Sequence, residues 1–194
     1  TADEAKDFDA MLAKAKVTFP MSNSWYINGF FDGLTLFGKS GNDEKVGMVF
    51  PKDGADITSY LVDVVANPNF SNDDGASGLA AIKDGSADVL FSGAWSAKDV
   101  KEALGDNYAA TQLPTFTVNG QKKQMKSFAA TKAVAYNPNA KNTKAAAQFA
   151  AYLGSTESQK LHYEMRSIPP TDKSLADLTK DDIAAQAQAD TMAN

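Results

Sequence analysis

"GLTLFGKS", Gly33 to Ser40, satisfies the G-x-x-x-x-G-K-[ST] pattern of phosphate-cradling loops at every fixed position. A working loop of that kind follows a strand and opens a helix, so that backbone N–H groups and a helix N-terminus face the phosphates. The flanks here read in another order. From Trp25 to Phe37, Ile27, Phe30, Phe31 and Leu34 keep helical spacing, which predicts a helix with Gly29 and Gly33 inside it, permitting close packing. "GKSGNDEK" is then a polar loop and "VGMVF" at 46–50 a strand. In a helix–loop–strand order, Gly38 ends the helix and Lys39 sits near its negative end, where phosphate is repelled. Nucleotide binding through Lys39 is kept only as the rival reading.

Outward from this stretch, helices and strands alternate. "TADE" at Thr1 reads as a capping box, and Phe8, Met11, Leu12 and Ala15 mark an amphipathic helix. "VTF" at 17–19 is a strand closed by Pro20. Ile57, Tyr60, Leu61, Val64 and Val65 predict a helix stopped at Asn67-Pro68, and Ser71 to Lys83 another. "ADVLF" at 87–91 is a buried strand. Ser96 with Asp99 is a second capping box. Tyr108–Leu113 and Phe128–Tyr136 read as strands, and "FTVNGQKKQ" as a hairpin turning at Asn119-Gly120. Helices are expected over Asn142–Leu153 and Ser155–Arg166, with a last one capped by Thr179 and Asp182. The pattern is α/β: a twisted mixed sheet flanked by helices, in one lobe over residues 1–194.

Composition narrows the function. The net charge is −5, with no basic run longer than "QKK", so a nucleic-acid partner is not expected. There is no cysteine and one histidine, which excludes thiol nucleophiles, zinc–thiolate sites and multi-histidine metal sites. No cofactor is called for. "SNDDGASGLAAI" fails as a calcium loop, because placing Gly75 sixth puts Phe70 first and Ala81 last. His162 beside Glu164 reads as a surface or packing pair rather than a catalytic dyad. Asn69-Phe70-Ser71 is a glycosylation sequon without a secretory context. No apolar run approaches the ~18 residues a membrane span needs. A chain opening on a helix cap without an initiator Met is expected of a processed protein or excised domain.

What remains is tryptophan. Trp25 and Trp95 are the only two, and each follows a predicted strand, in "PMSNSWY" and "SGAWS". Ligands of open α/β sheets bind outside the carboxyl ends of strands. The alternative is that both indoles are core residues, since Trp is highly buried on average. Loops flanked by Gly and Ser are poor places for a core anchor. With Tyr26 next to it, Trp25 stands among Ser22, Asn23 and Ser24; Trp95 stands with Ser92 and Ser96. An indole takes the C–H face of a pyranose, and small hydroxyls and amides take its rim. No covalent chemistry is implied.

These residues resemble a family. "SGAW" resembles the "NGPW" of bacterial extracellular solute-binding proteins of the maltose/maltodextrin group, and "LPTF" at 113–116 is similar to that family's strand end. "AAQFAAYLGSTESQKL" is similar to its paired helices, and "FPMSNSWY" to its other stacking loop. The resemblance covers nearly the whole chain. It implies the second, C-terminal-type lobe of a periplasmic-binding-protein-like fold, with Trp95 and Trp25 stacking on sugar units. It also implies a missing N-terminal-type lobe, an ABC-transporter permease as partner, and a lipoprotein or periplasmic parent outside the cell. The chain departs from the pattern at Asn23, where an acidic residue is usual, and at Ser24 and Ala94, where proline is usual. These departures bear on which sugar is taken. A lobe for another oligosaccharide or solute is the alternative.

Overall fold

The computed structural model describes residues 1–128 and 131–194. Asp7 opens α1 (Phe8–Lys14) by accepting from the Ala10 N–H at 3.0 Å, and Phe8, Met11 and Leu12 bury one face. The Thr1–Glu4 pair does exchange hydrogen bonds, but it starts only a 3-10 turn over Glu4–Lys6. β1 (Val17–Phe19) is buried at all three residues.

The single helix expected from Trp25 to Phe37 is not there. α2 (Ser24–Ile27) continues as a 3-10 turn over Asn28–Phe30 and stops. Gly33 has φ +87°, a left-handed conformation foreign to a helix interior. β2 (Thr35–Leu36) then pairs antiparallel with β3 (Met48–Val49). The "GLTLFGKS" stretch is therefore a strand and its connecting turn, with Gly38 at φ +71° inside that turn rather than at a helix end. The helical spacing misled because Phe30 and Phe31 face the core from the turn and Leu34 packs on it from beyond. Gly29 does serve close approach: a Cβ there would strike the Lys126 carbonyl, and the Lys126 N–H donates to Gly29 O at 2.9 Å.

α3 (Gly54–Ala66) buries Ile57, Leu61 and Val64. The helix expected from Ser71 instead begins as β4 (Phe70–Asn72), and α4 (Ser77–Asp84) starts late. Between them the buried Asp73 carboxylate accepts from the Gly75 N–H at 2.8 Å and the Gly78 N–H at 2.9 Å. With Asp74 accepting from the Ser77 N–H at 3.0 Å, the two aspartates satisfy N–H groups at the start of α4, whose N-cap residue Ala76 has no side-chain acceptor. β5 (Val89–Leu90), α5 (Ala97–Leu104) and the hairpin of β6 (Thr115–Val118) and β7 (Gln121–Gln124) follow. Its turn has Asn119 at φ +51° and Gly120 at φ +73°, as a two-residue turn of this kind requires.

Residues 108–113 form no strand; the Leu113 N–H donates instead to Thr191 Oγ1 at 3.1 Å. Of the strand expected over Phe128–Tyr136, residues 129–130 lie outside the described residues, and 131–136 form no strand pairing with described residues. α6 (Thr143–Leu153) and α7 (Thr156–Arg166) are capped by Asn142 and Ser155. A 3-10 stretch over Lys173–Leu178 precedes α8 (Ile183–Ala193). Asp182 alone caps α8, through the Ala184 and Ala185 N–H groups; Thr179 Oγ1 bonds back to Ala176 O.

The fold is α/β. The central sheet is parallel, in the order β4–β1–β5, and the antiparallel pairings sit in two separate ribbons. Around the sheet lies an aromatic cluster. Phe8 meets Phe19, Phe30 and Phe91 edge-on, Phe19 meets Phe91 at 5.0 Å, and Phe30 meets Phe116 at 5.0 Å. Edge-to-face contacts at such distances are favoured by the ring quadrupoles. They tie α1, β1, the 3-10 turn after α2, the end of β5 and β6 into one core.

Candidate ligand-binding site

β1 is the middle strand. The chain leaves it to build β4 on one side and, later, β5 on the other. The carboxyl ends of β1 and β5 therefore flank a topological switch point, the crevice where parallel sheets take ligands. Val17 is in register with Val89 and Thr18 with Leu90, so both strands release their loops at the same end. Phe19 and Phe91, locked against each other in the core, anchor those two loops at their roots. One loop carries Trp25 and the other Trp95.

Trp25 stands in the first turn of α2 and is 45% exposed. Asn23 caps that helix by accepting from the Trp25 N–H at 3.0 Å, so its side-chain oxygen is already engaged. Ser24 is exposed at the helix start. Ser22 is tied to β4: its N–H donates to Asn72 Oδ1 at 3.3 Å, and Asn72 Nδ2 donates to its hydroxyl at 3.5 Å. Tyr26 points inward and meets Phe19 edge-on at 6.2 Å. Burial pushes its phenol up, the neighbouring Ser92 hydroxyl pulls it down, and the Asp73 charge adds to the rise. Tyr26 thus packs its ring on Phe19, at the end of β1.

Trp95 lies in a 3-10 turn over Ala94–Ser96 and is 59% exposed. Its six-membered ring folds back over Gly93, where a Cβ would overlap it. Ser96 holds the N-cap position of α5 but does not cap it; its hydroxyl bonds that of Ser92 at 2.8 Å instead. The Ser92–Ser96 pair stiffens the loop that displays the indole.

Sequence reading missed Phe128. Its ring lies 4.9 Å from that of Trp25, tilted by 41°. The two are far apart in the chain, and no local pattern links them. The rival motifs have other surroundings. Lys39 is exposed in the β2–β3 turn, with no helix beginning after Ser40. His162 and Glu164 lie two apart on α7 and so point in different directions, and Glu164 pairs with Lys160 at 3.8 Å.

A parallel sheet with two exposed indoles at its switch point has the form of an α/β solute-binding lobe. The chain belongs to the bacterial extracellular solute-binding protein family, which it matches over residues 1–191. It is similar to a solved chain described as "with acarbose", at 40% identity and a TM-score of 0.90, covering 100% of this chain and 52% of that one. It is also similar to the ligand-free maltodextrin binding protein MalE1 from L. casei BL23, at 27% identity and a TM-score of 0.79, over 96% and 51% of the two chains. The chain thus spans about half the length of these relatives. No curated protein sequence matches it. No helix among the described residues is long and apolar enough to cross a membrane.

Proposed function

We propose that the chain is the carbohydrate-binding, non-enzymatic C-terminal-type lobe of an extracellular solute-binding protein that delivers maltodextrin-type glucans to an ABC importer. One observation carries the reading: two exposed indoles, at the carboxyl ends of adjacent parallel strands, stand among exposed Ser22, Ser24 and Ser92. Indoles offered to solvent at a switch point suit a ligand with apolar faces and a hydroxyl rim. The acarbose and maltodextrin relatives support the same ligand class. In this reading Trp95 and Trp25 each stack on a sugar unit. The serines bond the rim, Asn23 holds the Trp25 helix, and Tyr26 anchors it on Phe19. The partners are the other lobe and a permease.

Stacking one sugar on one indole removes ~80–100 Å² of apolar area, worth about 2–3 kcal/mol. Two platforms supply about 4–5 kcal/mol before ordering costs, and a net of about 4 kcal/mol is millimolar affinity. Indole fluorescence should therefore respond to maltodextrin in the millimolar range, and more to longer glucans than to glucose. Trp95→Ala should remove most of the response, and Trp25→Ala should weaken the preference for length. Glucose binding that neither substitution touches would refute the site.

A further inference from the structure

We propose that the Trp25 subsite presents hydrogen-bond donors and no charge, with Asn23 as one donor, and so admits an interior unit of a glucan whose chain continues past Trp25. The proposal rests on the glucan-binding reading and deepens it. Asn23 is exposed in the loop after β1, two residues before Trp25. A side-chain amide has an acceptor end and a donor end, and its hydrogen-bond partners decide which way each points. Here the oxygen is spent on the protein: it accepts from the Trp25 N–H at 3.0 Å. A backbone N–H needs an acceptor, so this bond fixes the orientation of the amide. The Nδ2 end is left to the solvent side, with no acceptor among the described residues.

Ser22 repeats the arrangement. Its hydroxyl oxygen accepts from Asn72 Nδ2 at 3.5 Å and its N–H is taken by Asn72 Oδ1, so its hydroxyl hydrogen remains to be given. The two indole loops carry no charge, from Val17 to Phe31 or from Val89 to Ala97. Charges at their borders are engaged elsewhere. Asp73 is buried and accepts from the Gly75 and Gly78 N–H groups. Asp74 accepts from the Ala76 and Ser77 N–H groups. Lys126, two residues before Phe128, pairs with Asp32 at 3.3 Å. This polarity selects among sugar oxygens. A free hydroxyl donates or accepts and is served by an amide or by a carboxylate. A glycosidic oxygen carries no hydrogen and only accepts. A carboxylate beside Trp25 would therefore serve a chain end alone, and would shed water against an indole to do so. The Asn23 amide serves the linkage as well as the end.

Indole fluorescence titrations with maltotriose and maltohexaose at neutral pH test this. Asn23→Asp keeps a good N-cap for α2 but replaces the free donor by an acceptor; Asn23→Ser keeps both a cap and a hydroxyl donor. Both variants should melt as the wild type does. Asn23→Asp should weaken maltohexaose about threefold to tenfold, and maltotriose less, because a trisaccharide still brings a chain end to Trp25. The ratio of the two affinities should fall. The extra registers open to a longer glucan are common to all three proteins and cancel in this comparison. Asn23→Ser should keep the wild-type ratio. An unchanged or raised ratio in Asn23→Asp would overturn the proposal. So would an equal fall in Asn23→Ser, which would trace the effect to the cap. Glucan binding with an unaltered ratio defeats this inference alone, whereas wild-type indoles that respond to neither glucan defeat the glucan-binding reading itself.

Discussion

Gly93 is glycine because the Trp95 ring occupies the place of its side chain. Its φ of −96° is open to any residue, so the constraint is one of space alone. Gly93→Ala should push the indole aside. We expect loss of most of the maltodextrin fluorescence response, comparable to Trp95→Ala. Stability should change within about 0.5 kcal/mol, as for exposed sites generally. A wild-type response in this variant would mean that the ring's position is unimportant. Phe128 acts similarly on the other indole. Aromatic pairs contribute about 0.5–1.5 kcal/mol beyond area, so Phe128→Ala should free Trp25. In a Trp95→Phe background its emission should shift to the red; an unmoved spectrum would show that Phe128 does not hold it. Lys39→Ala is the control for the opening motif and should leave maltodextrin binding as it was.

Asp7 joins two elements. It caps α1 through the Ala10 N–H and accepts from Lys122 Nζ on β7 at 2.8 Å. The Lys122 hydrogen bond, then the Ala10 N–H, holds its carboxyl below the usual aspartate value, against the opposing effect of burial. A depressed folded-state pKa contributes stability above the unfolded pKa, and that contribution is lost as pH falls through the folded pKa. Asp7→Ala should therefore cost about 1 kcal/mol near neutral pH, mostly as a lost cap. The gap from wild type should close below about pH 4; a gap that widens in acid contradicts the assignment. Caps and turns of this kind are where sequence reads best. The Asn119-Gly120 hairpin needs two positive φ angles that few residue pairs provide, and it stands where it was expected. β4 was missed because "FSN" has no alternation of its own; it exists by pairing with β1, Val17 against Phe70. The 25–37 helix was misread because two glycines and core-facing turn residues imitate a period. At the site, the exposed indoles were legible from their Gly- and Ser-rich flanks. Phe128 and the Ser92–Ser96 bond were not, because tertiary packing sets them.

At the scale of the molecule, the two indole loops share one root and the helical hairpin does not. Phe19 and Phe91 touch in the same aromatic cluster, so the surroundings of Trp25 and Trp95 are lost only when that cluster opens. α6 and α7 are 11 residues each and contribute nothing to that cluster. Helices shorter than about 12–15 residues are marginal in water without tertiary support. Urea unfolding should therefore separate the two. Trp25 and Trp95, read in single-tryptophan variants, should change together in one sharp transition. Far-UV circular dichroism should lose part of its helical signal at lower urea, before either indole responds. Phe30→Ala, at the centre of the cluster, should cost about 3–5 kcal/mol and move the indole transition far to lower denaturant. The early helical loss should stay where it was, because no described residue of α6 or α7 belongs to the core cluster around Phe30. If circular dichroism and both indoles instead coincide throughout, and Phe30→Ala moves all three together, the hairpin is part of the same cooperative unit as the sheet.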